Sequence, residues 1–167
     1  MTGVQTCALP ISAFLNFRYA HHARRALIIV SDGGDNHSRA TQVDIRQMAR
    51  EADVEVFALG TYETPGVRRR TGEELGGPEL LARISEETGG RSFPVQNTAD
   101  IMDAAIRIGF DLRNQYLIEY HPVNQNWNGM YRRIAVEVAP LSGFPRLRAN
   151  WRQGYYGATQ PCVAPAS

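Results

Sequence analysis

The 167-residue sequence contains no lysine; all 18 of its basic residues are arginine. That absence argues against a metal-assisted phosphatase, which needs a catalytic lysine as well as a second acidic loop. Cysteine is nearly absent too. Cys7 and Cys162 stand at opposite ends of the chain, which excludes a disulfide framework or a thiolate metal cluster. No apolar run approaches the ~20 residues that span a bilayer. Neither sign of charge prevails, with 18 basic residues against 17 acidic, so nothing marks a nucleic-acid-binding surface. There is no internal repeat. The GGP and TGG elements lack the spacing of a phosphate cradle.

What is present is enough for one globular domain, since 43% of the residues are hydrophobic and the length allows a real core. The first eleven residues, MTGVQTCALPI, stand apart. They have neither a charged leader nor a sustained apolar stretch, so they make a poor signal peptide. They match an in-frame translation of a common sequencing-adapter primer, and residues 1–11 are therefore set aside from fold reasoning. On this reading the native gene is expected to begin upstream.

From there the pattern is regular. Residues 12–25 read as the remnant of a helix ending in a basic turn. Residues 26–30 (ALIIV) are wholly apolar, the pattern of a strand buried on both faces. Residues 41–52 read as a helix: Thr41 and Asp44 form a capping-box pattern, and Ile45, Met48, Ala49 and Ala52 share one stripe. Residues 54–59 (VEVFAL) form a second buried strand. Pro78 opens the next helix at a first-turn position, and Gly89 and Gly90 close it. Residues 91–95 are a short third strand. Thr98 then caps a helix whose stripe is Ile101, Ala104, Ala105, Ile108 and Leu112. Strands alternating with helices predict a parallel sheet covered on both faces. Beyond residue 114 the period changes to two, in residues 116–120, 131–138 and 147–151. That predicts about three antiparallel strands with one solvated side, followed by a disordered tail over residues 158–167.

The chemistry concentrates in ALIIVSDGGDNHS, residues 26–38. In a parallel sheet, ligands collect outside the carboxyl ends of the strands, and Asp32 stands there. Gly33 and Gly34 let the backbone turn sharply beside it. A hard cation such as Mg²⁺ takes one or two carboxylates plus waters. Asp32 is the candidate metal ligand, with Ser31, Asp35, Asn36 and Ser38 as a possible rim. The same spacing also suits a strand-to-helix loop in which Asp32 and Asp35 bond backbone amides, and spacing alone leaves both readings open.

Other constellations weigh less. His21 and His22 are adjacent and point apart on a helix. His37 has no nucleophile paired with it as general base. Arg68, Arg69 and Arg70 read as a solvated loop. Tyr116, Tyr120, Tyr131, Trp151, Tyr155 and Tyr156 read as packing for an antiparallel sheet rather than as a stacking platform.

ALIIVSDGGDN, VEVFALG, LARISEETGGRSF, DLRNQYLIEYHP, YRRIAVEV and LRANWRQGYYG, in this order, resemble the von Willebrand factor type A domains. Within them they are most similar to the bacterial group with an antiparallel carboxyl-terminal extension. The likeness runs from about Arg24 to Gly157. It implies a partial doubly wound, Rossmann-like α/β sheet, with residues 12–113 as the second half of the domain and residues 114–157 as the extension. It also implies a metal-ion-dependent adhesion site built from three loops: D-x-S-x-S, a threonine, and an aspartate after the fourth strand. Asp32 matches that aspartate. No D-x-S-x-S occurs in the sequence, and Thr41, which follows the acidic loop, does not match the threonine.

The function implied is non-enzymatic binding of an unidentified protein ligand through Mg²⁺ or another divalent cation in the intact parent, with no cation tightly bound by this chain. Members of this type are often exported, so the resemblance implies an extracytoplasmic location. Two rivals remain: a metal-assisted hydrolase using Asp32, and a metal-free interaction piece centred on residues 115–151. The family's strand order leaves 26–30 beside a missing strand. Edge-strand self-association and marginal stability are therefore expected.

Overall fold

The structure, a computed structural model, describes residues 14, 24–31, 42–61, 72–124, 126, 128–140, 142–143, 145 and 147–159. The described elements run β1 (Ala26–Ser31), α1 (Gln42–Glu51), β2 (Glu55–Thr61), α2 (Gly72–Thr88), β3 (Ser92–Val95), α3 (Thr98–Arg113), β4 (Tyr131–Arg133) and β5 (Gly154–Tyr156). The first three strands form one parallel sheet in the order β1-β2-β3, and β4 and β5 form a separate antiparallel pair. The fold is the expected mixed α/β sheet flanked by helices, with an antiparallel carboxyl-terminal extension.

The central strand explains the two-sided core. Val56, Phe57 and Ala58 are all fully buried, because successive side chains of β2 enter opposite faces and both faces are covered. On one face Val54 and Val56 pack with Ile45 and Ala49 of α1, Ile84 of α2 and Phe14, while Leu27 and Ile29 of β1 lie partly buried against them. On the other, Phe57 and Leu59 pack with Phe93, Val95 and, from α3, Ala104 and Ile108.

Strand β1 departs from the expected double burial. It pairs with β2 from Ala26 opposite Glu55 to Ser31 opposite Gly60, and among the described residues it is the edge strand of the sheet. Ile28 and Val30, on the α3 side, are 51% and 65% exposed. An apolar run reports that a strand suits a buried site; it does not report whether a neighbour arrives to bury it.

Two helix starts also shift. Helix α2 begins at Gly72, so Pro78 lies inside it rather than in its first turn. Proline has no N–H to give a helical ladder, and the fully buried Ile84 and Ser85 further along anchor the helix. Helix α3 is capped by Asn97, not Thr98. The Asn97 side chain accepts from the Asp100 N–H at 3.1 Å, and Asp100 Oδ2 accepts from the Asn97 N–H at 3.1 Å, a reciprocal capping box one residue earlier than predicted. The capping threonine expected at Thr41 lies outside the described residues.

Among the described residues of the extension, two short strands pair where about three are expected, and residues 147–151 form none of them. Residues 116–120 form no strand, and Tyr116, Leu117 and Ile118 are exposed. Tyr155 and Tyr156, read as packing for an antiparallel sheet, belong to β5. One further rung continues the ladder, as the Ile134 N–H donates to the Gln153 carbonyl at 2.9 Å.

Candidate functional site

Strand β1 stops at Ser31, abreast of Gly60 of β2, and the next pair along β2 is Thr61 with Val95. The carboxyl ends of the parallel strands thus come together, and the chain leaves this edge at Ser31 toward Asp32. Asp32, Asp35, Asn36 and Ser38, with Gly33 and Gly34, lie outside the described residues, as do His21, His22, His37 and the arginines 68–70. Ser31 is half-buried. Among the described residues, no three histidines, cysteines or carboxylates converge on one point. One hydroxyl at a sheet edge does not hold a cation, so the described residues by themselves do not fit a metal.

Two polar clusters elsewhere went unread in the sequence. The first sits at the amino end of β2. The Glu55 carboxylate accepts from Gln115 Nε2. Nearby, Arg91 pairs with Asp111 at 3.3 Å and stacks over the Phe93 ring. Burial pushes the Glu55 carboxyl up to about 7; the Gln115 hydrogen bond opposes this and the Asp111 charge adds to it. The sequence signal was a lone glutamate in the otherwise apolar VEVFAL.

The sign of the pH effect follows. Between about 4.5 and 7 the folded chain keeps a proton on Glu55 that the unfolded chain has released. Stability is therefore expected to fall as pH rises through that window. Part of the carboxyl remains in water, so the loss is on the order of 1 kcal/mol. Urea titrations at pH 5 and pH 8 should resolve it, and Glu55→Gln should flatten the difference. An equally steep dependence in the variant would refute the assignment.

The second cluster surrounds EETGGRSF, residues 86–93. Glu87 accepts from Arg46 Nη2 and from Arg50 Nε, the latter at 3.0 Å. Burial alone would raise its pKa; the two guanidiniums reverse that and hold it below the usual carboxylate value. Arg50 also stands over the Tyr131 ring, 4.6 Å from its centroid. Thr88 Oγ1 accepts from the buried Val56 N–H at 3.0 Å and donates to the Ile84 carbonyl at 2.8 Å.

Gly89, at φ +95°, brings the chain so close to the extension that a Cβ would meet Arg152 N at 2.9 Å. Gln153 N–H donates to the Glu87 carbonyl at 3.1 Å. Arg152 reaches back to the Asp53 carboxylate and the Arg50 carbonyl. This motif therefore fastens the α/β body to its extension. In the sequence these glycines spell a helix stop; this contact with the extension has no local signal.

No model of a known protein family matches the sequence, and no curated protein matches it. Among solved structures, the chain is similar to one described as the crystal structure of an uncharacterized membrane spanning protein from Vibrio fischeri. The identity is 18%, the TM-score 0.41, and the match covers 62% of this chain and 53% of that one. The chain thus spans about half the length of that structure, and a likeness at this level carries no functional argument. Among the described residues, no helix is long and apolar enough to cross a membrane.

Proposed function

We propose that the chain is part of a non-enzymatic protein-binding module of the von Willebrand factor A type, whose longer parent holds a divalent cation at the carboxyl edge of the sheet. The observation that supports this reading is the end of β1. Ser31 lies level with Gly60 at the carboxyl edge of a parallel sheet, the place where such sheets bind ligands, and Asp32 is the next residue in the chain. Asp32 supplies one carboxylate, and Ser31, Asp35, Asn36 and Ser38 form the rim. The remaining oxygens belong to an upstream D-x-S-x-S loop that this sequence does not contain. Mg²⁺ or a similar hard cation suits a set of oxygen donors. The partner is a protein that offers the cation an acidic side chain.

Calorimetric titration tests the reading. Mg²⁺ added to the chain alone is expected to give no saturable binding below about 1 mM. Joining an upstream segment that carries D-x-S-x-S should create binding, and Asp32→Ala should then abolish it. Tight binding by the chain alone, or an extended chain indifferent to Asp32→Ala, overturns the proposal.

A further inference from the structure

We infer that two copies of this chain pair edge to edge through β1, antiparallel, in a register centred on Ile28. The inference goes beyond the cation reading and does not depend on it.

The backbone sets the geometry. The Glu55 N–H donates to the Arg25 carbonyl at 3.0 Å. In a parallel ladder alternate residues of one strand bond the neighbour while those between face away. Residues 25, 27, 29 and 31 therefore turn their backbone groups toward β2. Ala26, Ile28 and Val30 turn theirs outward, to the side where no described strand lies. A row of outward N–H and C=O groups is a template for another strand.

Side chains point the same way. The edge reads ALIIVS: no charge, no proline and mostly β-branched or aliphatic residues. None of the devices that usually blunt an edge strand is present within it. Ile28 and Val30 stand 51% and 65% exposed on one face of that strand, and an added strand would set its own apolar side chains beside them.

The occupant follows from parity. Only residues 26, 28 and 30 have outward backbone groups, so an incoming copy of β1 must match them with its own 26, 28 and 30. Antiparallel pairing achieves this for the whole set in one register: Ile28 opposite Ile28, and Ala26 opposite Val30. Opposed residues then share a face, so both exposed pairs join into one apolar strip across the junction. Self-pairing thus satisfies hydrogen bonding and apolar burial together.

Sedimentation and site-specific cross-linking on the full chain test the inference. The wild type is expected to dimerise reversibly with a dissociation constant of about 1–100 µM, as befits an interface smaller than about 1,200 Å². Ile28→Lys places like charges directly opposite each other and should weaken the dimer by at least about tenfold. In a Cys7→Ser, Cys162→Ser background, Ile28→Cys should oxidise to a covalent dimer, because the two Cα atoms of such a pair lie about 5.5 Å apart. Val30→Cys should not, because its two copies would stand about 13 Å apart along the strands. Should Ile28→Lys fail to fold, the cysteine pair decides alone. A chain that stays monomeric at about 500 µM, a dimer unmoved by Ile28→Lys, or cross-linking as ready at position 30 as at position 28 overturns it.

Discussion

Gly90→Ala is expected to cost more than about 4 kcal/mol, a large fraction of the 5–15 kcal/mol that holds a typical domain together. The added Cβ would land on the Val56 carbonyl oxygen and lie 2.7 Å from its carbon. Neither obstacle can yield. Val56 belongs to the central strand, pairs with Leu27 of β1, and is fully buried. Its N–H is taken by Thr88 Oγ1. Relief would require α2 to retreat from β2, and that would break the Thr88 bond and open the core around Ile84. Thermal unfolding should move down by roughly 10 °C or more.

Gly109→Ala gives the opposite sign in the same experiment. It sits within α3, with nothing nearer to its Cβ than an arginine tip 3.7 Å away, and should stabilise by about 0.5–1 kcal/mol. If Gly90→Ala proves as benign, the close approach of helix and strand is wrong.

That approach marks where sequence reasoning stopped. The β-α-β-α-β-α order was legible because each element carries its own period: apolar runs for the buried strands, a three-to-four spacing for α1 and α3. The parallel sheet followed from the alternation alone. What escaped were facts about neighbours. TGG reads locally as a helix stop, yet Thr88 serves the Val56 N–H, 32 residues away, and Gly89 makes room for Arg152. ALIIV reads as doubly buried, yet two of its five side chains, Ile28 and Val30, are exposed.

In the extension, alternation identified residues able to form strands. Pairing needs partners, and the ladder closed at Tyr131–Arg133 and Gly154–Tyr156, anchored by Gln153 on Glu87 and Arg152 on Asp53. The candidate site was legible only as a position. An acidic, glycine-rich turn after an apolar strand must fall at the sheet's carboxyl edge, and β1 does end there. Which other groups share that edge is a property of chains brought together from elsewhere.

Phe57→Ala is expected to cost about 3–5 kcal/mol, and its register partner Ile28→Ala less than about 1. The two residues lie side by side, on adjacent strands and the same face. Phe57 is fully buried among Leu59, Phe93, Val95, Ala104 and Ile108, so its loss leaves a cavity that this close-packed cluster cannot fill. Ile28 is half in water, so truncating it removes far less buried surface than truncating Phe57 does.

The contrast must be measured by urea unfolding near 1 µM, where the β1 pairing inferred above is largely dissociated. At several hundred micromolar the wild type should gain stability from self-association and Ile28→Ala should gain less, so the gap attributed to Ile28 should widen with protein concentration while that of Phe57 holds steady. A cost for Ile28→Ala that matches Phe57→Ala at low concentration would mean that the outer face of β1 is covered within one chain, and both the bare edge and the dimer built on it would have to be abandoned.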